Sequence, residues 1–291
     1  MFVATLLTDP AHKALDPALA EALRNAWGGG AARWLNPGIA AELDLPALPG
    51  NRWQVWGDLQ AQGVDLAVQQ AEGRRKRMLL ADMDSTMIAQ ECIDELADLA
   101  GCGPQVAEIT AQAMNGLLEF EPALRARVAL FRGMDAAIIE KVLAERITFT
   151  PGGRELVATM KAHGAHTALV SGGFTAFTER VAAELGFDEH HANLLTIEDG
   201  RLAGTVAEPI LGRQAKIDAL EAISARLGIT PAEAIAVGDG ANDLGMLARA
   251  GAGVALHAKP VVAERCELRV NHGDLTALLY LQGYSVQDFA R

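Results

Sequence analysis

The sequence predicts an α/β protein: a parallel sheet core with a helical cap inserted after its first strand, preceded by a small N-terminal α+β domain. From residue 78 onward, short apolar runs that end in polar or glycine-rich turns alternate with helical stretches. This pattern is typical of strands buried on both faces of a parallel sheet. The runs are Met78–Ala81, 166–170, 234–237 and 253–256.

Residues 1–73 are predicted to form the small domain, and residues 74–291 the core. Strands are expected at 2–7, 33–35 and 64–68, and a helix at 53–62. Asp16 is a cap residue before Pro17, which suits a first helical turn, so a helix is predicted to run from there to Trp27. Three further tryptophans in this segment (Trp34, Trp53 and Trp56) indicate a separate small core.

The cap is predicted at about 90–147, where helical stretches follow one another without a strand. They span 93–100, 104–114, 119–131 and 135–147, and would cover the carboxyl edge of the sheet. Residues 198–201 indicate a hairpin turn on the sheet edge. The basic run at 73–77 could contact an anion, but a solvated linker or strand entry is the preferred interpretation.

Composition narrows the function classes. The formal net charge of −12 repels nucleic-acid phosphates, so no nucleic-acid partner is expected. An anionic substrate would then require a metal ion or a few basic side chains at its site. Cys92, Cys102 and Cys266 match no zinc pattern and are predicted to be reduced, buried thiols of a cytoplasmic protein. The sequence contains no recognisable signal peptide or membrane-spanning run, so no membrane partner is expected.

The first predicted core strand ends in Asp82-Met83-Asp84-Ser85-Thr86. Ligands of open α/β sheets bind beyond the carboxyl ends of strands, and paired carboxylates there call for a cation or a shared proton. A plain helix N-cap cluster is the structural alternative.

Further candidate residues follow other strands. Asp239, Asn242 and Asp243 lie in a glycine-containing turn after 234–237, which alone could be an ordinary Gly-Asp turn. Asp82, Asp84 and Asp239 together provide hard oxygen ligands of the kind that magnesium takes.

Two other positions could bind phosphate oxygens. Ser171 and Gly172 follow 166–170, where a hydroxyl and backbone amides at a helix start suit phosphate, or simply cap the helix. The other motif clusters together predict an anionic substrate, which needs a positive charge beside it, and Lys216 could supply that charge.

These motifs, in this order, resemble those of the phosphoserine phosphatases in the haloacid dehalogenase (HAD)-like superfamily. The resemblance rests on 82–86 with Glu91, 120–128, 171–174, Ala215-Lys216 and 238–243, and it covers about residue 76 to the end. It implies a HAD-like, Rossmann-like core. The N-terminal domain is similar to the small ligand-binding or dimerising domains called ACT.

The resemblance also implies roles at the reaction centre. Asp82 would be the nucleophile, and Asp84 the general acid that later activates water. Mg2+ would be held by Asp82, Asp239 and the backbone carbonyl of Asp84. A carboxylate nucleophile divides hydrolysis into two easier steps, and phosphoryl transfer depends on charge neutralisation.

Further roles concern the bound substrate. Ser171, Gly172 and Lys216 would hold the phosphoryl oxygens. Asn242 would contact the substrate, and Asp243 would support the same site.

Cap residues would recognise the amino-acid part. Glu91 would meet the substrate ammonium, and Arg127, whose planar fork suits a carboxylate, would meet its carboxylate. Met114 and Phe120 match cap positions that close over the substrate. The alternative for each is a solvated helix face. Ala123 departs from the family pattern, which often has serine there.

The implied function is hydrolysis of O-phosphoserine in the last step of serine biosynthesis. A phosphotransferase that passes the group to an alcohol such as homoserine would share the same core motifs, and another small phosphomonoester could be the substrate. A non-catalytic amino-acid sensor is disfavoured because the expected nucleophile Asp82 is present. A homodimer is an open possibility.

Overall fold

The computed structural model describes residues 1–114 and 117–290, apart from the Met114 side chain. Its N-terminal part has the order β1 (Phe2–Thr8), α1 (Pro17–Trp27), β2 (Arg33–Asn36), β3 (Ala40–Leu45), α2 (Arg52–Gln60) and β4 (Val64–Gln70). The strands pair antiparallel in the order β2-β3-β1-β4. This βαββαβ arrangement is the ferredoxin-like one, and it confirms a small N-terminal α+β unit.

Local chemistry fixes α1 where the sequence predicted it. Asp16 Oδ1 accepts a hydrogen bond from the Ala18 N–H (2.8 Å), and Gly28 ends the helix at φ +66°. Strand β3 was not predicted because Glu42 and Asp44 interrupt its apolar run. Glu42 is nevertheless buried, since Arg33 and Arg74 both pair with its carboxylate.

The remaining elements follow residues 71–77, the linker between β4 and β5. The strands are β5 (Met78–Ala81), β6 (His166–Phe174), β7 (Glu189–Asn193), β8 (Leu195–Glu198), β9 (Arg201–Val206), β10 (Ala234–Gly238), β11 (Ala252–Leu256) and β12 (Leu268–Val270). The helices are α3 (Cys92–Leu99), α4 (Gly103–Met114), α5 (Phe120–Ala129), α6 (Ala137–Glu145), α7 (Gly153–Ala162), α8 (Thr175–Leu185), α9 (Arg213–Arg226), α10 (Leu244–Arg249), α11 (Pro260–Ala263) and α12 (Ala277–Leu281).

The main sheet is parallel, with the order β12-β11-β10-β5-β6-β7. Strand β5 lies inside it, with Leu80 paired to Ala168 on one side and Ala236 on the other. All residues of β5 are buried, as the apolar run predicted. The parallel sheet confirms the predicted fold class.

Helices α3–α6, which we call the cap, are inserted between β5 and α7, as predicted. The two chain crossings into the cap lie side by side, because Ile88 and Phe149 form an antiparallel bridge. The Ala89 N–H also donates to the Thr148 carbonyl (3.0 Å). The cap is therefore attached at one place beyond the carboxyl end of β5.

The predicted position of the hairpin on the edge of the main sheet was wrong. β8 and β9 form a separate two-stranded sheet. It packs beneath the cap, where Leu202 is buried and its carbonyl accepts from the Gly133 N–H (2.8 Å). Burial of β9 against the cap accounts for the separation from β7.

The N-terminal unit is fastened to the C-terminal part of the core. Asp65 of β4 is fully buried, and its carboxylate accepts backbone N–H bonds from Asn271, His272 and Gly273, each at 2.9 Å. Within the described residues, no helix is both long and apolar enough to cross a membrane. The three cysteines are free and buried, as predicted.

Candidate active site

Acidic side chains converge where β5 and β10 end. One carboxylate oxygen each of Asp82, Asp239 and Asp243 lies within 4.8 Å of the others. Parallel pairing continues one residue past β5, since the Asp82 N–H donates to the Val237 carbonyl (3.0 Å). The sheet therefore brings together two acidic turns that are far apart in sequence, as the strand-end argument predicted.

Lys216, in the first turns of α9, provides the positive charge of this cluster. Its Nζ lies 2.5 Å from Asp82 Oδ1 and 2.6 Å from Asp243 Oδ1, and its side chain is 2% exposed. Burial disfavours the charged lysine, but the two carboxylates outweigh it and raise the pKa of Lys216. Burial first and the Asp243 charge second raise the pKa of Asp82, and Lys216 opposes both.

Asp84 points away from the acidic cluster, toward Ser171. Ser171 Oγ donates to Asp84 Oδ2 (3.0 Å), and the Cys92 N–H donates to Asp84 Oδ1 (2.8 Å). Ser171 Oγ in turn accepts from the Gly173 N–H (2.8 Å). A Cβ at Gly173 would lie 2.9 Å from Asp84 Oδ2, so glycine is required by this close approach. Ser171 and Gly172 were predicted to follow the strand, but β6 continues to Phe174, so both lie in its last residues; Gly172 is half-buried.

The turn after β10 is built around the Asp243 carboxylate. Its Oδ2 accepts from the Gly240 N–H (3.0 Å), and a Cβ at Gly238 would collide with its carboxyl group. The Asn242 side chain folds back against Gly240. Asp239 accepts from Thr86 Oγ1 (3.4 Å), and burial raises the pKa of Asp239.

Glu91 and Arg127, the two charged residues predicted to recognise the amino acid, have different neighbours. Glu91 precedes α3 and accepts a hydrogen bond from Ser85 Oγ (2.8 Å). Burial first and the Asp84 charge second raise the pKa of Glu91 to about 7. Arg127 of α5 donates to Thr110 Oγ1 (3.4 Å), and burial lowers its pKa, opposed by Asp94 and Glu91. Glu91 is thus electrostatically coupled to both Asp84 and Arg127.

Phe120 and Met114 are the two hydrophobic cap positions that were predicted to close over the substrate. The Phe120 ring lies over Gly172, since a Cβ at Gly172 would lie 3.5 Å from its Cζ. The same ring faces Gly212 before α9, and Phe120 is 38% exposed. The prediction for the Met114 side chain falls outside the described residues.

The donor set fits a hard divalent cation. Carboxylate oxygens are the ligands that such ions prefer, and the three clustered aspartates exceed the single charge of Lys216. The observed cluster of carboxylates contains Asp243 and not Asp84, whose side chain faces Ser171. The prediction had assigned the backbone carbonyl of Asp84 as the metal ligand.

Sequence reasoning missed several residues at the site. Lys259 Nζ lies 3.8 Å from Asp239 Oδ2, and its N–H donates to the Asp239 carbonyl (3.2 Å). It follows β11, so the strand-end argument could have found it. Asn193 Nδ2 donates to the carbonyls of Gly172 (2.8 Å) and Leu211 (3.1 Å), and so links the end of β6 to the residues before α9. No motif in the sequence signals that contact.

Comparison with known proteins gives consistent matches. Residues 79–248 match the family model of haloacid dehalogenase-like hydrolases. A phosphoserine phosphatase of Streptomyces coelicolor is 46% identical over 230 residues, 78% of this chain. One of Albidiferax ferrireducens is 45% identical over 210 residues, which cover 70% of this chain and 89% of the relative.

A solved structure matches nearly the whole chain. The probable phosphoserine phosphatase from Vibrio cholerae, in unliganded form, is 32% identical with a TM-score of 0.81, covering 99% of this chain and 87% of that one. The match to the Streptomyces protein, by contrast, spans only 56% of that relative.

Proposed function

The chain belongs to the haloacid dehalogenase-like hydrolase family, and on that premise we propose that it hydrolyses O-phosphoserine to serine and inorganic phosphate. The convergence of Asp82, Asp239, Asp243 and Lys216 at one edge of the sheet, with Asp84 held nearby, is the observation that carries this proposal. The relatives named as phosphoserine phosphatases support the choice of substrate.

The first step forms an aspartyl-phosphate. Lys216 Nζ and the Met83 N–H both contact Oδ1 of Asp82, so Oδ2 is the oxygen proposed to attack phosphorus. The bond from phosphorus to the seryl oxygen breaks, and Asp84 gives its proton to that oxygen.

The second step returns the enzyme to its starting state. The Asp84 carboxylate takes a proton from water as the water oxygen attacks phosphorus, and the bond to Asp82 breaks. Ser171 Oγ and the Cys92 N–H hold the Asp84 carboxyl in one orientation for both proton transfers. Asp82 regains its carboxylate, and inorganic phosphate leaves.

Both steps require positive charge beside the phosphoryl group, because its oxygens are negatively charged. Lys216, Ser171 and the amide of Gly172 would hold its oxygens, with Asn242 close by. Mg2+ would be held by Asp82, Asp239 and the backbone carbonyl of Asp84, and when bound it supplies positive charge at the phosphoryl oxygens. Asp243 keeps Lys216 in place.

The cap supplies recognition of the amino acid. Glu91 offers a carboxylate for the ammonium group, and Arg127 a guanidinium for the carboxylate. Phe120 would close over the phosphate side, and Met114 is assigned by family resemblance alone. Because Glu91 and Arg127 have opposite charges, a zwitterionic substrate complements the pair.

The proposal is tested by measuring inorganic phosphate released from O-phosphoserine, with and without Mg2+, in wild type and Asp82→Asn. We expect release that requires Mg2+ and is reduced at least a thousandfold in the variant. Release by Asp82→Asn at the wild-type rate would contradict the mechanism. A requirement for an added alcohol such as homoserine would replace hydrolysis by phosphotransfer.

In the cell this activity would complete serine biosynthesis in the reducing cytoplasm, where three free thiols remain stable. We further propose residues 1–73 as an ACT-like domain, with 74–291 as the catalytic core and the cap at about 90–147. The βαββαβ order supports the ACT-like proposal. Light scattering of the full chain tests whether it forms a homodimer.

A further inference from the structure

The basic run before β5 is not a solvated linker along its whole length. The Arg74 guanidinium is 13% exposed and pairs with the buried Glu42 carboxylate of β3. It lies against Gly283, just after α12, where any Cβ would approach within 2.7 Å of Arg74 Cζ. The prediction of a strand entry was right, but Arg74 is part of the contact between the N-terminal unit and the core.

Arg75 is placed differently from Arg74. Its guanidinium carbon lies 4.2 Å from the centroid of the Tyr284 ring, which holds the planar fork in one orientation. Arg75 is exposed, and among the described residues it forms no ion pair within 4.0 Å. The nearby Asp288 carboxylate lies farther away; hydrogen bonds from Ser285 chiefly lower the pKa of Asp288, and the Arg75 charge adds to this effect. Arg75 therefore presents an oriented guanidinium whose charge is not matched by a contacting carboxylate.

A groove of about 350 Å³ lies between these elements. We call it the arginine groove, and it is lined by Arg33, Ala71, Gly73, Arg74, Arg75, Gln282 and Gly283. Arg33 and Arg74 both pair with the buried Glu42 carboxylate, while Arg75 lies over the Tyr284 ring. Of the described residues that line the groove, three are arginines and none is acidic, so the groove is locally positive on a chain whose formal net charge is −12. Such a reversal of sign attracts anions.

The arginine groove is separate from the candidate active site. The basic run precedes β5, whereas Asp82 follows it, so the two lie at opposite ends of the same strand. At about 3.3 Å per residue, the chain from Arg77 to Asp82 spans roughly 16 Å. An anion in the groove would not contact the acidic cluster, and this site does not depend on the proposed activity.

We propose that the arginine groove binds a small dianion, bearing a phosphate or two carboxylates, between the N-terminal unit and the core. Guanidinium forks bind both groups in a bidentate way. An extended polyanion is disfavoured because the rest of the surface is acidic. The ligand would contact Arg33 of β2 and Arg75 of the linker, and so join both parts of the chain.

The test uses the full-length, metal-free protein at low ionic strength, titrated calorimetrically with inorganic phosphate and, separately, with malonate. Arg75→Ala should weaken binding about tenfold or more, as loss of a charge-assisted contact does. Arg77→Ala is the matched control, because Arg77 belongs to the same basic run but pairs with Glu233 outside the groove. Lys216→Ala removes the proposed phosphate ligand of the active site. Titrated well below its lowered melting temperature, this variant should keep groove binding.

The outcomes separate the possibilities. Phosphate or malonate binding that survives Lys216→Ala and is lost in Arg75→Ala supports the groove, and the tighter anion identifies the ligand group. Binding lost in Lys216→Ala but kept in Arg75→Ala assigns the anion to the active site and overturns the proposal. Equal losses in Arg75→Ala and Arg77→Ala, or no binding of either anion, also overturn it. Arg75→Lys keeps the charge and should keep part of the binding, which would show that the loss in Arg75→Ala does not come from a change in fold.

Discussion

Replacing Lys216 by methionine should destabilise the protein strongly, because Lys216 is the buried counter-charge of two carboxylates. Its Nζ lies 2.5 Å from Asp82 and 2.6 Å from Asp243, and all three side chains are nearly inaccessible to water. Methionine fills a similar volume, so the change removes the charge with little loss of packing. Asp82 and Asp243 then remain buried without their cation.

Breaking a buried ion pair by removing one partner costs about 3–5 kcal/mol. In a chain of this size each kcal/mol lowers the melting temperature by roughly 2–4 °C, so a fall of roughly 6–20 °C is expected. Burial already raises the pKa of Asp82, and loss of Lys216 raises it further. Protonation relieves the repulsion at low pH, so the loss of stability should be larger at pH 8 than at pH 5.5.

The assay is thermal unfolding of metal-free wild type, Lys216→Met and Lys259→Met, repeated with Mg2+. Lys259 is the matched control: it lies 3.8 Å from Asp239 but is 56% exposed, so its loss should change stability by about 0.5 kcal/mol or less. Mg2+ should stabilise Lys216→Met more than wild type, because its positive charge replaces part of the charge that the variant has lost. Equal melting temperatures for the two variants would refute the electrostatic account of the cluster.

Three further predictions concern turnover. Arg127→Ala should raise KM for O-phosphoserine about tenfold or more and leave hydrolysis of a chromogenic ester without a carboxylate unchanged, and equal losses would exclude a specificity role. Since the pKa of Glu91 is raised to about 7, chiefly by burial, KM for O-phosphoserine should rise as pH falls through about 7, where the carboxylate is protonated. Glu91→Gln should remove that pH dependence, and its persistence would assign it elsewhere. Gly173→Ala should lower kcat, because a Cβ there displaces Asp84 or Ser171; wild-type kcat would show that the close approach has no role.

The sequence predicted the four inner strands of the main sheet because they are apolar runs, but it did not predict the edge strands β7, which is largely polar, and β12. Residues 78–81 and 234–238 are continuous apolar runs, and each is followed directly by acidic residues. The strand-end rule then places Asp82 and Asp239 at the same edge of the sheet, and the pairing of β10 with β5 brings them together. Helix α1 was equally clear, since Asp16, Pro17 and Gly28 mark both of its ends.

Other features depend on contacts that no local pattern encodes. The burial of Glu42 in β3 requires Arg74, which is distant in sequence, so the strand did not read as apolar. The hairpin of β8 and β9 was recognised, but its place beneath the cap follows from packing of Leu202 rather than from its turn. The role of Asn193 arises only when the end of β6 and the residues before α9 meet in space.

The most direct measurement of the central claim is mass spectrometry of peptides from enzyme that is acid-quenched during turnover of O-phosphoserine. The account predicts the mass of one phosphoryl group on the peptide that contains Asp82, sensitive to hydroxylamine and missing in Asp82→Asn. A phosphoryl group on any other residue, or steady turnover by Asp82→Asn, would contradict it.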